Sequence, residues 1–138
     1  MSFSIYVTIP HEDIPVPEDP GELNAWVAKN KNYLLFSEPL GGDYIVHKYW
    51  SSIANEIGLP IITAIYKAGI SISDTEELDK LEKELCDLEK YWKTHKLEEP
   101  EIISSMREPL SNHLEERIGY LRKAIMIAKD KNAILGIS

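Results

Sequence analysis

Residues Thr75 to Trp92 read TEELDKLEKELCDLEKYW, and this stretch limits the fold more than any other. Leu78, Leu81, Leu85, Leu88 and Trp92 recur at steps of three and four, which draws one apolar stripe along a helix. Most other positions are charged, so the stripe needs a second helix to cover it. Ser73 or Asp74 can cap the amino end, with Glu76 or Glu77 completing a capping box. Lys90, Lys93, His95 and Lys96 gather near the carboxyl end, where positive charge complements the helix dipole.

The covering helix is legible further on. Pro109 suits a first helical turn, and Leu110, Leu114, Ile118, Leu121, Ile125 and Ala128 form a stripe after it. Tyr120, Ala124 and Ile127 widen that stripe, so this helix is expected to be the more deeply buried. Asn132 suits its carboxyl end. The spacing predicts long helices over 75–95 and 110–131, antiparallel across a modest loop in which Ile102, Ile103 and Met106 suggest one docked turn.

Strand signals lie at both ends. From Ser2 to Ile9, Phe3, Ile5, Val7 and Ile9 alternate with Ser4, Tyr6 and Thr8, a period of two that marks a strand with one buried face. Ala133 to Ile137 is apolar on both faces, as a central strand is, and its expected neighbour is the amino-terminal strand. Tyr33 to Phe36 is a candidate third strand, stopped by Pro39 and Gly41-Gly42. Ile70 to Ser73 reads as a short strand or as an extended lead-in.

Short helices fill the interval. Glu22 to Lys29 presents Leu23, Trp26 and Val27. Asp43 is expected to cap a helix with Val46, Trp50, Ile53 and Ile57 on one face, although Tyr44-Ile45-Val46 also fits a strand. Gly58 and Pro60 bound a further helix over Leu59 to Ala68, almost wholly apolar and expected to be largely buried. The fold class is therefore α+β. A small sheet from the amino- and carboxyl-terminal strands, with residues 33–36 as a candidate addition, packs against a helical layer containing the long antiparallel pair. One domain over 1–138 suits a chain of this size.

Charge narrows the class of partner. The formal net charge is -8, which disfavours nucleic acid and anionic membranes and favours a basic protein. The acids are unevenly placed. Residues 10–21 form an acidic, proline-rich loop containing Pro15, Pro17 and Pro20 among Glu12, Asp13, Glu18 and Asp19. A second acidic block runs from Asp74 to Glu101, and whether the two share one face is open. Met1 to Pro10 has neither the positive flank nor the apolar core of a signal peptide, and no apolar run approaches the ~20 residues that span a bilayer, so a cytoplasmic protein is expected.

Catalytic signatures are sparse. The histidines His11, His47, His95 and His113 form no His-x-x-x-His pair, and with one cysteine there is neither an internal disulfide nor a cysteine-rich zinc site. His113 and Glu116 share a helix face, where a solvated pair is the plainer reading than a metal site. Cys86, among acids, reads as a small packing residue at the edge of the helix pair. Gly41-Gly42-Asp43 matches neither phosphate-loop pattern and reads as a turn and cap. The spacing of the many carboxylates gives no reason to expect a buried acid–base pair. No cofactor and no metal are implied.

Three functional readings remain. The first is a protein-binding module that docks a basic partner through Glu12, Asp13, Glu18 and Asp19 on the loop and Glu82 and Glu89 on the helix. In size, charge and lack of catalytic motifs the chain is similar to the small acidic immunity or inhibitor proteins of bacteria, a likeness of general character without a shared motif. The second is a small enzyme or ligand-binding domain with a groove around Tyr33, Tyr44, His47 and Lys48, where His47 can titrate near neutral pH. The third is a homo-oligomer joined through the leucine seam. That seam is short for a free coiled coil, so monomer and homodimer both stay open, with the seam expected to be satisfied within one chain.

Overall fold

Both ends of the chain meet in one sheet. The computed structural model describes residues 2–9, 17, 19–97 and 110–138. At the centre of the sheet β1 (Ser2–Thr8) lies beside β4 (Ile134–Ile137), with β2 (Leu34–Gly42) outside β1 and β3 (Ile70–Ile72) outside β4. All three pairings are antiparallel. The register sets Ile5, Ile137 and Ile70 in one row and Val7, Leu135 and Ile72 in the next. These six side chains are buried and form the sheet's inner face. On the other face Tyr6 opposes Gly136. A Cβ there would collide with the Leu23 side chain, so the glycine lets α1 (Leu23–Lys29) approach.

β2 is longer than the residues suggest, for it runs through Pro39 and Gly41 instead of stopping at them. It is an edge strand, where a missing N–H on the outer side costs little. Its register against β1 also shifts twice: Phe3 pairs with Gly41 but Ser4 with Pro39, leaving Leu40 as an extra residue that turns inward and is fully buried. The Ile70 segment is a strand rather than a lead-in.

Residues 43–57 are helical throughout, which resolves the choice at Tyr44–Val46. α2 (Asp43–Ile45) passes through a π-helical turn (Val46–Ser51) into α3 (Ser52–Ile57). Asp43 does not cap this run. Gly42 holds the cap position with no side-chain bond, and the Asp43 carboxylate instead accepts from the Tyr66 hydroxyl at 3.4 Å. Gly58, at φ 80°, ends α3, and α4 (Pro60–Ala68) follows. α4 is less buried than its composition suggests: Ile62 and Ile65 are in the core, while Tyr66 is half-buried and Lys67 exposed.

α5 (Thr75–Thr94) is capped by Asp74, whose carboxylate accepts from the Glu76 amide at 2.9 Å. α6 (Leu110–Lys131) lies against β1, β2 and β4, and α5 covers α6 and touches α4. Cross-helix ion pairs show the two to be antiparallel: Asp79 and Glu82 reach Lys129, while Glu89 reaches Arg122. Leu78, Leu81, Leu85 and Leu88 are all at most 1% exposed, so the seam is filled within one chain. His113, expected as a solvated partner of Glu116, is buried on the inner side of α6 instead. Among the described residues no helix is long and apolar enough to cross a membrane.

Candidate functional site

α4 is anchored by two polar side chains from elsewhere in the chain. Its first amides have no side-chain cap of their own. Glu84 reaches across from α5, and its two carboxylate oxygens accept from Ile61 at 3.2 Å and Ile62 at 3.0 Å. A carboxylate there satisfies open donors and meets the positive end of the helix dipole. Glu84 is nonetheless buried, and burial pushes its carboxyl above the ordinary range even though the two amide bonds pull the other way.

The second anchor is Ser51, at the end of the π-helical turn. Its buried hydroxyl donates to the Ile62 carbonyl at 2.8 Å and accepts from the Tyr66 amide at 3.2 Å. An α-helix ordinarily joins those two groups directly, four residues apart. Ser51 therefore bridges a rung of α4's own ladder and locks the π turn against it.

Between these two elements lies a groove of about 230 Å³. His47 and Ser52 line it from the π turn and its exit, Asn55 from α3, and Thr63, Tyr66 and Lys67 from α4. His47 and Tyr66 face each other with ring centroids 4.5 Å apart. π-helical turns widen a helix locally and are frequent at functional sites.

The sequence-derived groove is only partly assembled. His47 lines the groove, but Tyr44 and Lys48 do not; the Lys48 ammonium bonds the Tyr44 hydroxyl at 3.2 Å beside it. Tyr33 stands at the far end of β2, roughly 20 Å or more away along the paired strands. Sequence spacing does not single out Thr63, Tyr66 and Lys67, because α4 reads as a buried helix; the polar residues interrupting its apolar run are the available signal.

The candidate docking acids divide in a different way. Glu12, Asp13 and Glu18 lie outside the described residues. Asp19 is exposed and accepts from the Gly21 amide at 2.9 Å. Glu82 lies 3.0 Å from Lys129, and Glu89 takes both terminal nitrogens of Arg122 at 3.0 and 3.1 Å. That bidentate bond holds the Glu89 carboxyl below the ordinary range. Cys86 is exposed at the same edge, 3.9 Å from Arg122. Among the described residues no group of three or more His, Cys, Asp or Glu could hold a metal ion. Comparison of the chain with protein-family models, with curated proteins and with solved structures finds no match.

Proposed function

We propose that the protein is a small acidic docking module of the inhibitor or immunity type, which recognises a basic protein. The observation that supports this most is how its carboxylates are used. Asp79, Glu82 and Glu89 are engaged by bases on α6, whereas Asp19, Glu22, Glu76, Glu77 and Asp87 form no ion pair among the described residues. Glu82 and Glu89 are thus less open to a partner than Glu76 and Glu77 in the first turn of α5. Pro20 packs beside Gly69, which directly precedes β3, and α5 begins just beyond that strand. Asp19 and Glu22 are thus tied to the chain next to the start of β3, and Glu76 and Glu77 follow its end. Carboxylates left unneutralised within the chain favour a basic partner through faster encounter and through selectivity.

Affinity capture at low salt tests this, with the wild type compared to a variant carrying Asp19→Asn, Glu22→Gln, Glu76→Gln and Glu77→Gln. The expected result is a basic protein retained by the wild type, released by raised salt and not retained by the variant. Equal retention by both, or a captured protein that is not basic, removes the reading.

A second reading, ligand binding, is favoured by the polar groove at the π turn. Thermal-shift screening against small metabolites tests it. A stabilising compound whose effect disappears in His47→Ala supports a ligand site, and a screen without such a compound overturns it.

A further inference from the structure

The groove beside the π turn has a definite charge character. Among the described residues its titratable lining groups are His47, Tyr66 and Lys67, and no carboxylate lines it. Asp43 approaches from outside the groove and holds the Tyr66 hydroxyl. Ser52 and Asn55 add neutral donors to the wall. Lys67 makes no hydrogen bond or ion pair among the described residues, although the chain carries an excess of acid. Among the described residues nothing neutralises the Lys67 ammonium.

The groove also has a direction. Past Asn55, Thr63 and Lys67 it opens onto a wider depression of about 510 Å³, whose additional lining is Gly58, Leu59, Pro60 and Ala64. One end thus offers donors and positive charge, and the other offers aliphatic surface.

From this arrangement we infer that the groove between the π-helical turn and α4 binds a small organic anion, its carboxylate or phosphate held by His47 and Lys67 and its apolar body lying along Pro60 and Ala64. The inference rests on the ligand-binding reading and names the class of ligand. The wall is preorganised, because Ser51 fixes the π turn to α4 and Glu84 fixes the start of α4. A preformed wall lowers the ordering cost of binding.

The test uses three probes of one shape and different charge: benzoate, benzylamine and benzyl alcohol. Each is titrated into the labelled full chain while the backbone amides of Ser52, Asn55, Thr63 and Lys67 are followed by NMR. Benzoate is expected to shift these amides saturably, with affinity weakened about three- to tenfold by Lys67→Ala and by His47→Ala, the loss of one charge-assisted contact each. Phenyl phosphate, tested in parallel, is expected to bind at the same amides. Benzoate without effect, or benzylamine or benzyl alcohol binding as well as benzoate, overturns the inference. If benzoate fails while the metabolite screen yields a compound lost in His47→Ala, the anion assignment falls and the ligand site stands. If both fail, the ligand-binding reading falls with it.

Discussion

Glu84 and Ile62 meet across two helices, the carboxylate of one accepting from the amide of the other at 3.0 Å. The second carboxylate oxygen takes the Ile61 amide, so one side chain of α5 supplies the amino-terminal cap that α4 lacks locally. Glu84→Ala removes the acceptor for two amides in a buried setting and is expected to cost about 2 kcal/mol. Glu84→Gln keeps the shape and one accepting oxygen but turns an NH2 toward the other amide, so its cost is expected at about 1 kcal/mol, below that of Glu84→Ala. Urea denaturation at neutral pH separates the two. Equal losses would mean that the carboxylate does not cap α4.

The pH dependence of stability has opposite signs at two carboxyls of the same helix. The Glu84 carboxyl is raised above its ordinary value near 4.5 by burial. Between that value and its raised folded value the folded state holds the proton that the unfolded chain has released, so stability falls as pH rises through this window. The Glu89 carboxyl is lowered from the same 4.5, mainly by its hydrogen bonds to Arg122. Its stabilisation is complete above 4.5 and is lost as pH falls through the lowered value. Thermal unfolding midpoints measured from pH 3 to pH 8 should therefore change in a residue-specific way. Glu84→Gln flattens the decline above 4.5, and Glu89→Gln flattens the decline below it. A shared, parallel change in both variants contradicts these assignments.

The long helices and the terminal strands were legible because their periods are strong and their burial one-sided. Ile5 and Val7 alternate as a strand must, and Leu78, Leu81, Leu85 and Leu88 repeat as a covered helix must. Pro39 misled because a stop signal and an edge-strand bulge use the same residues, and only the pairing partner decides between them. The π turn left no trace, since Val46, Trp50 and Ile53 also fit an α-helical face. Glu84 did leave one: it stands three residues after Leu81 and four before Leu88, on the buried stripe itself. Its reason for being there, the open amides of Ile61 and Ile62, lies 22 or 23 residues away and is invisible to local spacing. The groove shares this difficulty, since His47 and Tyr66 become neighbours only once Ser51 joins the π turn to α4.

Leu85 tests whether the seam belongs inside one chain. It is fully buried between α5 and the elements that α5 covers. Leu85→Ala should cost about 2–5 kcal/mol, through lost burial and the cavity left behind. Leu85→Glu places a charge in that core and should prevent folding, as read by circular dichroism and light scattering. A well-folded Leu85→Glu monomer would instead show the seam to be an interface between chains.

Two glycines with positive φ differ in what a side chain would meet. Gly58 and Gly69 both have left-handed φ angles, 80° and 73°. A Cβ at Gly58 would meet nothing within 4 Å, whereas one at Gly69 would stand 2.5 Å from the Ile137 carbonyl oxygen and 2.9 Å from the Pro20 side chain. Gly58→Ala therefore carries only the conformational penalty, about 1 kcal/mol. Gly69, at φ 73° and ψ 180°, lies outside the left-handed helical well in a region that only glycine enters readily, so Gly69→Ala carries a larger conformational penalty, must also push β4 or the Pro20 turn aside, and is expected to cost at least about 1 kcal/mol more than Gly58→Ala. The displacement has a local readout as well. The Ser4 and Ser138 amides, which exchange hydrogen bonds at 2.9 and 3.1 Å next to Ile137, should lose hydrogen-exchange protection in Gly69→Ala and keep it in Gly58→Ala. Matching stabilities and matching exchange in the two variants would show that the Pro20 turn does not pack against Gly69 and the end of β4.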